Sequence, residues 1–451
     1  MLSALGNLFR VEEIRRRIFV TIAMLFVFRV GSNIPLPGVD YVAMDAYAKS
    51  QGDQGFFSIV GVMSALSGGN LRVPVLFSLG ILPYISASII LSLLSKVLPS
   101  LEALTKEGAA GQRKINQYSR YLTVPLAAVQ GLIIAMTSFK GLGQEIAVNG
   151  VRTVIIPHYG PGFVMTAMIG ITAGVIFLMW VGELITEYGI GNGSSLLISI
   201  GIVSDVPLAF WRILRDAGQD RTRILVAIIL AAAYLLIIIG VVYLHRGQRR
   251  VPMQQQKMMR GRQMVGGSRH YLPIRLNMAN VMPIIFASSL LSVPFTIAQS
   301  FQAQIPWLSS GSWLHVTLYV GLIIFFSYFW TSMMFQPTEI AEQLKESGQF
   351  VPGIRPGKNT AEFLEKILSK ITLIGSFFVA LIAVLPEILS SKMGVDWLVS
   401  SFLGGTGIMI VVGVTLDIVD KLNSGLLMRN YEGFMGASGK KAVGGAGPGR
   451  I

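Results

Sequence analysis

The chain has 451 residues, of which 52% are hydrophobic and only 13% charged, with a mean hydropathy of +0.62. A soluble domain carries roughly 25% charge, so half that density excludes an ordinary water-soluble globule and makes lipid the natural solvent. Cysteine is absent, which excludes disulfide and thiolate chemistry, and the net charge of +14 fits either a nucleic-acid binder or a membrane protein with one basic face.

A hydrocarbon core of about 30 Å needs about 20 apolar residues in a helix. Such stretches occur at residues 18–36, 74–95, 121–139, 163–182, 195–211, 223–244, 280–300, 313–335, 369–390 and 402–420. The first follows Arg15, Arg16 and Arg17 and leads into further spans, so it reads as a signal anchor rather than a removable leader. Residues 56–72, FFSIVGVMSALSGGNLR, are apolar but broken by glycine and too short to span. They suit either a re-entrant half-helix packed inside a bundle or a helix lying at the interface. In GILPYISASIILSLLS, residues 80–95, Pro83 removes a backbone donor and is expected to loosen the helix. Ser86, Ser88, Ser92 and Ser95 suit a seam or hydrogen bonds to a neighbouring helix, and Ile81 and Ile85, four apart, share a face.

Further along, Glu183 and Glu187 beyond the fourth span, and Asp417 and Asp420 near the end of the tenth, read as interfacial charges. GIGNGSS, residues 189–195, lacks the strand that a dinucleotide-binding turn requires and predicts a tight helix start instead. The short fifth span is followed by a break near residues 205–222, leaving five spans on each side. Five per half gives the halves opposite topology, as in inverted repeats meeting at a central pathway. GQFVPGIRPGK, residues 348–358, predicts a stiff turn that presents Arg355. The four histidines (His158, His245, His270, His315) are far apart and read as isolated loop residues with no metal spacing. Neither Gly357-Lys358, with Pro352 and Asn359 around it, nor Gly439-Lys440, with Phe434 and Lys441, makes a phosphate-binding loop, so no nucleotide hydrolysis is expected.

The placement of the basic residues decides what the positive charge is for. With ten spans, the N-terminus, the connections after spans two, six and eight, and the tail lie on one side, and they hold four, five, eight, five and five basic residues, 27 of the 37. By the positive-inside rule that side is the cytosol. Arg212, Arg215, Arg221 and Arg223, interleaved with Asp205, Asp216 and Asp220, are the exception on the predicted outer side.

Six blocks, in order along the chain, resemble the SecY family: GILPYISASII (80–90), KEGAAGQRKINQYSRY (106–121), ITEYGIGNGSS (185–195), LPIRLNMANVMPIIFASS (272–289), GQFVPGIRPGKNT (348–360) and FLGGTGIMIVV (402–412). The resemblance covers the chain except the glycine-rich tail after Tyr431. It implies an all-α membrane protein, ten transmembrane helices in two inverted five-helix halves around a central hourglass pore. The expected organisation is an N-terminal half, 1–204, a hinge connection, 205–222, a C-terminal half, 223–420, with cytosolic loops at 245–279 and 336–368, and a cytosolic tail, 421–451.

The family's pore ring maps by motif to Ile81, Ile85, Ser194, Ile198, Ile285 and Ile410, with Ser194 departing from the usual apolar residue. The plug falls on residues 56–72, including Phe56, Phe57, Ile59, Val60, Met63 and Leu66. A lateral gate between the second and seventh spans is implied near Ser86, Ser88, Ser92, Asn192 and Asn277. Arg355 and Lys358 in the loop after span eight, and Arg262 in the loop after span six (beside Gln263, where the family has a second arginine), match partner-docking positions. The implied activity is a protein-conducting channel that moves unfolded precursor polypeptides across a bacterial inner membrane and releases hydrophobic segments sideways among the membrane lipids. It would be driven by the SecA motor or the ribosome and accompanied by small SecE- and SecG-type subunits, with both termini cytoplasmic and no cofactor, metal or catalytic residue. A secondary transporter for a small solute fits the inverted halves equally well, although the spans lack ionisable pairs. An insertase or scaffold without a continuous pore is the third reading.

Overall fold

The structure, a computed structural model, describes residues 12–44, 74–144, 146–148, 151–217, 221–255, 258–260, 263–265, 269–288, 290–291, 312–393 and 407–424. The expected plug, 56–72 with Phe56, Phe57, Ile59, Val60, Met63 and Leu66, lies outside the described residues, as does Arg262. Helix occurs at all ten predicted spans: α1 (Glu12–Gly31), α2 (Leu82–Val97), a short α3 (Pro99–Lys106), α4 (Ala109–Thr137), α5 (Pro161–Tyr188), α6 (Gly193–Ala217), α7 (Arg221–Arg246), α8 (282–288), α9 (Trp313–Met334), α10 (Pro337–Glu346), α11 (Lys358–Met393) and α12 (407–424). By length and hydropathy, four helical stretches among the described residues could cross a bilayer alone, or five if the bent pair α2 and α3 counts as one.

Of the described residues, 12–44, 74–201 and 414–424 cluster as one compact unit and 202–413 as another. In the first unit α5 is the helix that the others pack on. Its buried side carries Ile171, Val175, Leu178, Val181 and Ile185, and α1, α2 and α4 pack against it. Its opposite side exposes Met165, Ile169, Ile176, Phe177 and Trp180, apolar residues suited to lipid. Arg120 of α4 pairs with Glu183 of α5, Nε to Oε1 at 2.6 Å. Glu183 is thus an ion-pair partner at a helix end rather than a solitary interfacial charge.

In the second unit one apolar cluster joins Ile237, Val241 and Leu244 of α7, Ile284 and Ala287 of α8, Tyr319 and Ile323 of α9, Val379, Ala380 and Ala383 of α11, and Ile408 and Met409 of α12. A second cluster, around Val251, Ile274, Phe335, Val351, Leu364, Ile367 and Ile371, seats the segments between the spans on α11. Those segments are not plain loops. After α7 the chain forms β3 (Gln248–Gln255), β4 (Met258–Arg260), β5 (Gln263–Val265) and β6 (Arg269–Arg275), with β3 antiparallel to β6 and also to β7 (Gln349–Phe350). The first unit holds one small hairpin, β1 (Ile146–Val148) with β2 (Val151–Thr153).

Three expectations need correction. First, the second span's helix starts at Leu82, not near residue 74. Residues 74–76 instead pair with 34–36: Leu36 N donates to Pro74 O at 2.9 Å, Leu76 N to Ile34 O at 2.9 Å, and Pro35 and Val75 form an antiparallel bridge. Ser78, fully buried, closes the turn by accepting from Val75 N at 3.0 Å and donating to Val75 O at 2.6 Å. Pro83 then falls in the first helical turn, where its missing N–H would have had no helical partner anyway; it helps start α2 rather than loosening it. Second, the expected connection 205–222 is largely helical, because α6 runs through Pro207 to Ala217 and α7 begins at Arg221. Third, His245 and His315 are not loop residues; they sit in α7 and α9. Two of the α2 serines bond within their own helix: Ser92 Oγ donates to Ser88 O at 2.8 Å and Ser95 Oγ to Ser92 O at 2.7 Å.

The segment 74–81 runs close over α5 at Gly174, where a Cβ would overlap the Leu76 carbonyl oxygen. Gly174→Ala is expected to destabilise the protein by about 1–3 kcal/mol. Gly131→Ala in α4, whose added methyl would meet Ile171 at an ordinary 3.6 Å, should be tolerated. Thermal unfolding of the detergent-solubilised protein distinguishes the two.

Candidate functional site

In the first unit the predicted ring residues sit at two helix starts. Ile81 is the residue before the first turn of α2 (φ −96°, ψ 3°), and its carbonyl accepts from Ile85 N at 3.2 Å, so the two lie one turn apart. Ile81 is 1% exposed and Ile85 half-buried. The α6 start follows the predicted tight turn. Gly191 adopts φ +90°, a left-handed conformation that glycine takes without strain. Asn192 then caps the helix, its Oδ1 accepting from Ser194 N at 3.1 Å and Ser195 N at 3.4 Å. Ser194 is half-buried, and Ile198, one turn on, is 3% exposed.

A chain of hydroxyls ties this turn to its neighbours. Gly193 N donates to Thr186 Oγ1 at 2.9 Å, and Thr186 Oγ1 donates to Gly182 O at 2.8 Å. Ile190 N donates to Thr21 Oγ1 of α1 at 3.1 Å, and Thr21 Oγ1 donates to Arg17 O at 2.9 Å. The sequence reading missed Thr21, Thr186 and Gly182. The only signal for them was a small or hydroxyl residue near a helix end.

In the second unit, Ile285 of α8 and Ile410 of α12 are both buried, beside Ile284, Ile408 and Met409 of the apolar cluster. The six ring positions therefore divide as four buried isoleucines with Ile85 and Ser194 half-buried, and none belongs to the exposed apolar surface that includes Phe325, Phe377 and Leu381.

Of the predicted gate residues, Asn192 and Asn277 hold turns of their own segments. Ser86 and Ser88 are half-buried, Ser88 offers its carbonyl to Ser92, and Asn192 is the α6 cap. Asn277, 7% exposed, donates from Nδ2 to Asn280 O at 2.9 Å and closes the turn between β6 and α8, where Asn280 takes φ +51°. On the loop between β7 and α11, Gly353 and Gly357 adopt φ +84° and +98°, Thr360 Oγ1 donates to Arg355 O at 2.9 Å, and the Arg355 and Lys358 side chains are exposed. This turn is stiff and presents Arg355, as its prolines and glycines predict.

A family model described as SecY matches residues 75–419. The chain belongs to the SecY family. Its curated relatives include the protein translocase subunits SecY of Mycobacterium bovis and Corynebacterium glutamicum, each 41% identical over 96% of this chain and all of the relative. The SecY subunit of Haemophilus influenzae is 38% identical over 96% of both chains. Among solved structures, a protein-conducting channel superposes with a TM-score of 0.64 at 18% identity, covering 91% of this chain and 92% of that one. Sec61 from a canine ribosome–channel complex of the endoplasmic reticulum superposes with a TM-score of 0.60 at 16% identity, covering 91% and 92%. This SecY-family chain is therefore a mostly helical, multi-pass membrane protein with the channel fold.

Removing the α6 cap by Asn192→Ala is expected to cost about 0.5–2 kcal/mol, read as a lower unfolding midpoint in detergent. Asn192→Asp keeps the acceptor oxygen and should recover most of that loss.

Proposed function

We infer that this SecY-family chain is the pore-forming subunit of a protein translocase, a channel for unfolded polypeptide and not an enzyme. The observation that carries this reading, besides membership of the family, is the set of isoleucines at Ile81, Ile198, Ile285 and Ile410. All are withdrawn from the exposed apolar surface, in a chain where no aspartate, glutamate, lysine or arginine is buried among the described residues. A narrow waist of aliphatic side chains excludes ions by dewetting when closed. The same side chains form no directional bonds, so a chain of any sequence can slide past them. A small-solute transporter coupled to protons would place carboxylates inside the membrane, and no aspartate or glutamate is buried among the described residues.

In this reading the two halves part to open a sideways route between α2 and α8. A passing segment then partitions by its own hydrophobicity, since a charged residue at the bilayer centre costs about 2.5–3.5 kcal/mol. Segment 56–72 acts as the plug on the axial route. Drive comes from outside, from the SecA motor or the ribosome docked at the basic loops around Arg262, Arg355 and Lys358, and SecE- and SecG-type subunits complete the complex. The membrane is the bacterial inner membrane, with both termini cytoplasmic.

Two measurements test this. Replacing Ile81, Ile85, Ile198, Ile285 and Ile410 together by glycine should make proteoliposomes containing the complex leak ions; liposomes as tight as those with unsubstituted protein would exclude an aliphatic seal. Arg355→Glu should lower export of a secretory precursor several-fold at unchanged membrane abundance. Equal export at equal abundance would remove Arg355 from partner docking.

A further inference from the structure

The position of Ile81 is set by a residue outside the ring. Gly182 on α5 has its Cα turned toward the starts of both α2 and α6: a Cβ there would lie 3.3 Å from Ile81 Cδ1, 3.5 Å from Leu197 Cδ1 and 3.6 Å from Ser194 N. Its carbonyl meanwhile accepts the Thr186 hydroxyl, which in turn accepts Gly193 N, and a Cβ on Gly193 would fall on that same carbonyl. One peptide of α5 thus holds the backbone of the α6 start by hydrogen bonding and close approach, while its bare Cα makes the notch that receives the δ-methyl of Ile81. Ile81, Leu197 and Gly182 are all buried, so a misfit there has no solvent-side space to relax into.

The geometry points to Gly182 as a positioning residue for the channel seal: by admitting the Ile81 δ-methyl, it fixes where Ile81 stands relative to Ser194 and Ile198. The inference rests on the reading of these residues as the pore ring. A separation of 3.3 Å is tighter than an ordinary carbon–carbon contact of about 3.5–4.0 Å, but the atom met is the end of a flexible side chain. Gly182→Ala is therefore a mild substitution that unseats Ile81 and leaves the fold intact. Gly193→Ala, by contrast, would drive a methyl into backbone and disturb the whole turn.

The test measures ion leak through the closed channel in proteoliposomes made with the full-length chain and its co-purifying subunits. Gly182→Ala is expected to raise the leak about threefold or more. Ile81→Val, which removes the δ-methyl and leaves the rest of the side chain, should return the double variant to near the unsubstituted level. Leu197→Val, which trims the other neighbour of the notch, should not. If Gly182→Ala fails to accumulate in membranes, restored abundance in the Ile81→Val double variant reports the same contact. An unchanged or reduced leak in Gly182→Ala overturns the proposal, as does rescue by Leu197→Val or absence of rescue by Ile81→Val. If the glycine ring variants described above also fail to leak, the pore-ring reading falls and this inference with it. If they leak while Gly182→Ala does not, only the role of Gly182 is lost.

Discussion

A backbone surrounded by hydrocarbon must satisfy its own hydrogen bonds, and that requirement shapes the two turns that lead into α2 and α6. Among the described residues, 74–81 and 189–192 depart from helix beside α5. In the first, the peptides that lack helical partners are served by residues 34–36 and by the buried Ser78 hydroxyl. In the second, Gly189 N returns to Ile185 O at 2.8 Å, and Thr21, Thr186 and the Asn192 side chain take Ile190 N, Gly193 N and Ser194 N. The chain can therefore turn beside α5 with these donors satisfied, and the turns place Ile81, Ser194 and Ile198 at helix starts.

Close approach is the second half of the same solution. In a bilayer, helices gain little from the hydrophobic effect on meeting one another, so packing distance and hydrogen bonding decide their association. Glycines on α5 admit close approach: the Leu76 carbonyl at Gly174, where a Cβ would overlap it, and Ile81 with the α6 start at Gly182, where a Cβ would fit only tightly. Polar side chains near the proposed gate follow a different rule. Ser92, Ser95, Ser288 and Asn277 each donate to a carbonyl within four residues in their own segment. Side chains satisfied in this way keep their hydrogen bonds within their own segment.

Segment-level features were legible without coordinates. Helix at every predicted span follows from hydropathy over about 20 residues. The turn at GIGNGSS and the exposed Arg355 between Gly353 and Gly357 follow from backbone preferences that residue type carries with it. What depends on a partner was not legible. Pro83 reads as a disruption in isolation and becomes a helix start only because residues 74–76 are held by 34–36. Arg120 and Glu183 are 63 residues apart and meet only through the α4–α5 crossing.

The sequence by itself determined that this is a membrane protein, where its chain crosses between apolar and polar surroundings, and which motifs align it with the SecY family, because hydropathy, charge and turn chemistry are properties of contiguous residues. Only the tertiary structure decided that Gly182 seats Ile81, that Thr21 and Thr186 hold the α6 start, and that Asn192 caps rather than reaches. Each of these depends on how far one helix is shifted along another, and that shift is fixed by packing among residues far apart in the chain.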